Sequence, residues 1–316
     1  MSTGERPRVV AIVGPTAVGK TALSLALAER IGGEIVSADS RQIYRGMDIG
    51  TAKATREERS RVPHHLIDVV DPDQSLTLAQ YRDRAAASIA LISSRAPVAF
   101  LVGGTGLYVR ALLEGWTVPE VPPNEPLRKS LYERAEREGA LQLHQELARL
   151  DPTAAKAIDA RNVRRVVRAL EVCLETGVPL STLQRRVPPN YAILRLGVTM
   201  PRERLYARID ARVENMLQAG LVEEVEALLA RGYGTDLPAM SGLGYRQIAA
   251  HLQGRCSLDE AVAEVKRQTR RFVRQQYNWF RTGDRAIHWV EADESDSSAV
   301  ACGARLVQTF LEETQS

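Results

Sequence analysis

Gly14, Gly19, Lys20 and Thr21 complete the spacing G-x-x-x-x-G-K-[ST]. That spacing suits a loop that cradles phosphate. Its glycines let backbone N–H groups curl around oxygens, the lysine adds a point charge, and the threonine hydroxyl ligates Mg²⁺. The stretch Gly14, Pro15, Thr16, Ala17, Val18, Gly19, Lys20 and Thr21 is therefore expected to hold a di- or triphosphate, with Thr21 on the metal. By motif alone such a loop is nucleotide-binding, ATP included. The apolar run 9–13 before it reads as a strand, and Leu23, Leu27 and Ile31 after it have helical spacing. A helix starting here aims unpaired N–H groups and its positive dipole end at the anion. A glycine-rich turn with a surface lysine, the plainer explanation, does not account for that context.

Asp39 follows a second β-rich run, in Ala38-Asp39-Ser40-Arg41-Gln42-Ile43-Tyr44. At a strand's carboxyl end near the phosphate loop it can accept a proton or hold Mg²⁺ through water. Asp39 and Ser40 would also serve to cap the next turn. Gly103-Gly104-Thr105-Gly106 follows a further strand and lets backbone approach a ligand, with Thr105 supplying a hydroxyl. His64 and His65 are adjacent. On a strand they face opposite ways, so structural positioning is expected rather than a shared metal ion.

Charge is concentrated in two places. Arg161, Arg164, Arg165 and Arg168 fall on one helical stripe opposite Val163, Val166, Val167 and Leu170. A stripe of arginines suits phosphate, although an ordinary solvated face paired with Glu171 and Glu175 has the same pattern. Lys266, Arg267, Arg270, Arg271, Arg274, Arg281 and Arg285 are interleaved with Phe272, Tyr277, Trp279 and Phe280. Charge with stacking surface suits single-stranded nucleic acid, but some of these rings are expected in the core.

These residues need a scaffold. Runs at 9–13, 34–37, 66–70, 98–102, 193–198 and 287–290 read as strands alternating with helices, which argues for a mostly parallel sheet covered on both faces. Ligands then sit at the carboxyl ends of the strands. Proline clusters at Pro119, Pro122, Pro123 and Pro126, and at Pro188 and Pro189, bracket a stretch with only helical patterns. The expected organisation is an α/β core, residues 1–118 and 193–316, with a helical insertion domain at 119–192. The acidic, serine-rich stretch 291–298 reads as a loop before a last helix near 299–311.

A net charge of +3 leaves any nucleic-acid role to local clusters. Cys173, Cys256 and Cys302 have no zinc or C-x-x-C spacing and suggest a reducing compartment. Without a membrane-length apolar run or a signal-peptide pattern, the expectation is a soluble cytoplasmic protein, not a membrane one.

The motifs GPTAVGKT (14–21), ADSRQIYRGMDIGTAK (38–53), HHLID (64–68), GGTGLY (103–108), RNVRRVVRALE (161–171), AMSGLGYRQ (239–247) and TRRFVRQQYNWFR (269–281) occur in this order. Together they resemble the bacterial tRNA dimethylallyltransferases, or tRNA isopentenyltransferases, the IPP transferase family. Ala54, Leu243 and Asn278 stand where that pattern usually has proline, isoleucine and threonine. The resemblance implies a P-loop NTPase-like parallel sheet core with a helical insertion domain. It also implies transfer of a dimethylallyl group from dimethylallyl diphosphate to the N6 amine of the tRNA adenosine immediately 3′ of the anticodon, with Mg²⁺.

Carried onto this sequence, Asp39 takes the amine's proton and Thr105 bonds the bridging oxygen of the leaving group. Arg212 joins residues 14–21 on the diphosphate. The tRNA anticodon stem-loop is expected to meet Asp39, Ser40, Arg41, Gln42, Arg164, Arg165, Arg168, Gly244, Tyr245, Arg246, Arg274, Gln275, Trp279 and Arg281, on a monomer. Competing readings are a small-molecule kinase using the same loop on ATP, an adenylate isopentenyltransferase acting on free AMP, and an ATP-dependent RNA-binding module. The two basic segments and the insertion argue against the first two, and Asp39 with Thr105 against the third.

Overall fold

The computed structural model describes residues 6–117, 119, 121–292 and 297–314. The expected acidic loop at 291–298 therefore has its centre, 293–296, outside the described residues. The chain divides into two compact units, Met1–Leu113 with Asn190–Ser316, and Glu114–Pro189.

The larger unit begins with β1 (Arg8–Val13), α1 (Lys20–Ile31), β2 (Gly33–Ser37), α2 (Arg56–Arg61), β3 (His64–His65), α3 (Leu78–Ser93), β4 (Val98–Gly103) and α4 (Gly106–Leu113). The smaller unit holds α5 (Glu125–Glu138), α6 (Ala140–Leu150), α7 (Pro152–Ala157), α8 (Val163–Thr176) and α9 (Leu180–Leu183). The larger unit resumes with β5 (Ala192–Thr199), α10 (Arg202–Gln218), α11 (Leu221–Ala230), α12 (Tyr245–Leu252), α13 (Leu258–Gln276), β6 (His288–Glu291) and α14 (Ser297–Glu313).

The strands form one six-stranded sheet in the order β3-β2-β4-β1-β5-β6. Every pairing is parallel. Along β1 the side chains alternate between two cores. Val10 and Ile12 pack on one face with Leu23 and Leu27 of α1, while Val9, Ala11 and Val13 pack on the other with Ile89 and Ile92 of α3. Burial on both faces is why these strands read as continuous apolar runs. The fold is thus α/β, with a P-loop-type parallel core. Because β2, β4 and β1 are neighbours, the segments leaving their carboxyl ends emerge side by side. Those segments carry Asp39, Thr105 and the phosphate loop.

One strand expectation is corrected. The third strand is His64–His65, not 66–70. Leu66 (φ 63°) and Asp68 (φ 58°) adopt left-handed backbone, which ends the strand. Asp68 is drawn instead into ion pairs with Lys53, at 2.6 Å, and Arg59, at 2.9 Å. Val70 retains only an isolated bridge to Tyr44.

The smaller unit has its own apolar core, built from Leu131, Leu143, Leu147, Val166, Val167 and Leu170 among others. Asn124 and Asp151 cap α5 and α7, with Pro126 and Pro152 in their first turns, so one proline of the first cluster helps to start a helix. Glu171 lies fully buried among Arg128, Arg168 and the Asn124 N–H, at 2.8, 2.5 and 2.8 Å.

Candidate active site

Backbone conformation shapes the phosphate loop. Gly14 has φ 145°, and a Cβ there would stand 2.5 Å from Val198 O. Gly19 has φ 105° and starts α1. Both are positions that need glycine. Lys20 Nζ donates to Pro15 O at 2.7 Å, folding the side chain back over the loop. Burial pushes the Lys20 ammonium down to about 8, against the opposing pull of Asp39 and with a further push from Arg212.

Two cavities meet at this loop. The first, about 460 Å³, is lined by Thr16, Gly19, Lys20, Thr21, Asp39 and Arg212 among others. The second, about 270 Å³, is lined by Ser40, Arg41, Gly104, Thr105, Gly244 and Tyr245 among others. Thr16, Asp39, Thr51 and Arg212 line both. The first has room for a diphosphate, with Lys20, Arg208 and Arg212 on its wall beside Asp39 and Glu58. The second has a mixed wall, with Val213, Met216 and Phe272 beside its polar groups, which suits a flat heteroaromatic ring.

Asp39 caps the turn that follows it and also lines the site. Its Oδ1 accepts the Arg41 N–H at 2.8 Å, a capping bond, and its carboxylate still faces both cavities. Thr105 is tied to the same segment, its Oγ1 accepting the Ser40 N–H at 3.1 Å and its own N–H donating to Ala38 O at 3.2 Å. Arg212 has no ion pair or hydrogen bond among the described residues and faces both cavities; burial lowers its pKa, and Asp39 opposes that.

Several expected RNA contacts have structural partners. Arg41 donates to Pro238 O at 2.6 Å and Ser241 Oγ at 3.2 Å. Gln42 accepts from Ser37 Oγ at 3.1 Å and donates to Ala52 O at 3.3 Å. Tyr245 is buried, and Gly244 before it has φ 90°. Trp279 is half-buried against Gly106, with Arg110 5.3 Å from its ring. Arg246, Arg274, Gln275 and Arg281 are exposed.

The arginine stripe at 161–168 is thinned. Arg161 precedes α8 and pairs with Asp159, and Arg168 pairs with buried Glu171. Arg164 and Arg165 remain exposed. In the second basic segment, Lys266, Arg267 and Arg270 pair with Glu214, Glu264 and Asp210. His65 bonds Glu34 and His64 bonds Val62 O, each at 2.7 Å. Among the described residues no group of three or more His, Cys, Asp or Glu could hold a metal.

Sequence reasoning missed three residues around the site. Gln276 bonds the phosphate loop and the Gly104 turn. Glu224 accepts the N–H groups of Asp48, Ile49 and Gly50 at 2.9, 2.8 and 3.1 Å. Lys53, almost fully buried, bonds Tyr44 O, Asp48 and Asp68 at 2.7, 2.5 and 2.6 Å. The signal for Lys53 was a lone lysine between Asp48 and Asp68, and for Gln276 its place in the motif 269–281; nothing local marked Glu224.

The IPP transferase family model matches residues 42–283, and an isopentenyl transferase model matches residues 7–69. The chain belongs to the IPP transferase family. A curated tRNA dimethylallyltransferase of Herpetosiphon aurantiacus is 56% identical over 87% of this chain and 88% of its own. One of a Roseiflexus species is 54% identical over 96% and 99%. The crystal structure of the full-length tRNA isopentenylpyrophosphate transferase of Bacillus halodurans is 40% identical, with a TM-score of 0.72 over 98% of each chain. The residues lining the two cavities are shared between the regions that the two models match, Thr16 to Arg41 falling within 7–69 and the later ones, such as Arg212, within 42–283. No helix among the described residues is long and apolar enough to cross a membrane.

Proposed function

We propose that this protein transfers the dimethylallyl group of dimethylallyl diphosphate to the N6 amine of the adenosine immediately 3′ of a tRNA anticodon, releasing diphosphate. The observation that carries the reading is the shared wall: Asp39 and Arg212 line both the phosphate cavity and its neighbour. One space suits a diphosphate and the other a flipped base, with a carboxylate where they meet. The family's curated members named tRNA dimethylallyltransferase support the same substrates.

In this mechanism the lone pair of the adenine amine attacks the allylic carbon. The carbon–oxygen bond breaks and its electrons pass to the diphosphate. Asp39 accepts the proton that the amine loses. The loop amides, Lys20 and Arg212 stabilise the charge growing on the leaving group, commonly the largest catalytic contribution. Thr105 donates its hydroxyl proton to the bridging oxygen. Thr21 would hold Mg²⁺: its hydroxyl lies at the phosphate cavity, and an oxygen donor completed by phosphate oxygens and water fits that ion. When bound, Mg²⁺ neutralises diphosphate charge.

A base reaches such a site only by leaving its stack, which anticodon-loop nucleotides do readily. Arg164 and Arg165 of the smaller unit are the residues we assign to stem-loop phosphates, with Arg246, Arg274 and Arg281 of the larger unit. Arg168 has a structural role through Glu171. Phosphoryl transfer from ATP would leave Thr105 and the second cavity without a role. The same reading expects a monomer working in the cytoplasm.

The test is incubation of purified protein with labelled dimethylallyl diphosphate, Mg²⁺ and an anticodon stem-loop RNA. Label in the RNA at the adenosine 3′ of the anticodon is the expected result. Unlabelled RNA, or labelled free AMP in its place, overturns the proposal.

A further inference from the structure

Gln276, the last residue of α13, is 3% exposed and bonds two loops at once. Its Oε1 accepts the Thr16 N–H at 2.8 Å, and its Nε2 donates to Gly104 O at 3.1 Å. Thr16 belongs to the phosphate loop leaving β1, and Gly104 begins the turn leaving β4 that carries Thr105. Within the sheet these strands are held in register as far as Val13 and Gly103. Past that point the two segments leave the ladder, and the Gln276 amide bridges them. The bridge depends on glycine, since a Cβ at position 104 would stand 2.3 Å from Nε2. A carboxamide suits the task because it carries an acceptor and donors on one rigid plane.

We propose that Gln276 is a positioning residue, setting the separation between the phosphate loop and the Thr105 turn. This rests on the function proposed above. The two segments hold different parts of one leaving group: loop amides and Lys20 take the diphosphate charge, and Thr105 meets the bridging oxygen. Each segment can bind its part alone, but the reaction needs both in register. Misplacement by about 1 Å costs on the order of 10²-fold in rate. Loss of the bridge therefore falls on turnover rather than on diphosphate affinity.

Gln276→Met keeps length and approximate volume and removes both hydrogen bonds. The expected kcat is lower by about 10²-fold, with the Kd for inorganic diphosphate and Mg²⁺ changed less than about threefold, one hydrogen bond to the loop being replaceable by water. Gly104→Ala breaks the bridge from the other side, leaves Gln276 in the sequence, and is expected to lower kcat likewise. Amide exchange gives a readout independent of activity: in Gln276→Met the segments around Thr16 and Gly104 should lose protection together, with the β1 and β4 amides unchanged.

Unchanged kcat in both variants overturns the proposal. So does a parallel loss of kcat and diphosphate affinity, which would make Gln276 a plain part of the phosphate site. Lost protection across the whole sheet would make it a folding residue. If the wild-type protein transfers no label, the proposed function fails, while the exchange experiment still decides whether Gln276 couples the two segments.

Discussion

The Tyr245 hydroxyl donates to Glu224 Oε1 at 2.6 Å, so a residue of α12 is locked to one of α11 at the wall of the second cavity. The same carboxylate accepts the N–H groups of Asp48, Ile49 and Gly50. Gly50 in turn lies against the Tyr245 ring, where a Cβ would come within 2.5 Å. One half-buried acid thus shapes the wall from three segments.

Removing parts of this arrangement should have graded effects. Tyr245→Phe deletes one bond to a charged acceptor and should cost about 1.5–3 kcal/mol. Glu224→Gln should cost more, because an amide NH₂ then faces at least one backbone N–H. Urea denaturation of both variants checks the order. A smaller loss for Glu224→Gln would mean that the carboxylate is not the organising group.

Lys20 predicts a pH dependence. Burial holds its folded pKa at about 8, below the ordinary lysine value of 10.5. Below that pH the ammonium is present in the free protein. Above it, the proton must be regained when the anion binds. Affinity for a fully ionised diphosphate monoester should therefore fall as pH rises through 8, by up to about tenfold per unit, with proton uptake visible by calorimetry in buffers of different ionisation heat. Lys20→Arg should flatten the profile. Stability should respond in the opposite sense: between pH 8 and 10.5 the unfolded chain binds more protons at this lysine, so its contribution rises with pH.

Asp39→Asn should lower transfer by about 10²–10⁴-fold, the usual contribution of a positioned proton acceptor, with diphosphate affinity nearly unchanged. Thr105→Val should lower kcat and leave RNA affinity alone. Single-turnover assays beside equilibrium binding separate these quantities, and equal loss of binding and turnover in Asp39→Asn would make it a structural residue.

The arginines of α8 should divide into two kinds. Arg164→Ala and Arg165→Ala should each weaken RNA binding across sequences and reduce the salt slope by about 1. Arg168→Ala should instead destabilise the smaller unit by about 3 kcal/mol, because fully buried Glu171 loses a partner. Filter binding at several salt concentrations and thermal melts of each variant test the division.

The core strands and their loops were legible in the sequence because their signals are local. Val9 to Val13 is apolar throughout because both faces are covered, and the glycines at 14 and 19 answer to backbone geometry within the loop itself. The third strand misled because 66–70 is apolar and β-rich, yet Asp68 is drawn to Lys53 and Arg59 and turns the backbone left-handed. The arginine stripe was legible as a pattern that periodicity could not divide: packing sets the pairing of Arg168 with Glu171, one of the two acids that the sequence offers it, while Arg164 and Arg165 stay exposed.

By itself, then, the sequence determined the phosphate loop, the parallel α/β core, and the positions of Asp39 and Thr105 at strand ends, all properties carried by neighbouring residues. The tertiary structure decided that Arg212 shares a wall with Asp39, that Gln276 bridges Thr16 and Gly104, and that Glu224 gathers Gly50 and Tyr245. Those partners lie far apart along the chain, and a hydrogen bond between distant segments leaves no periodicity in either one.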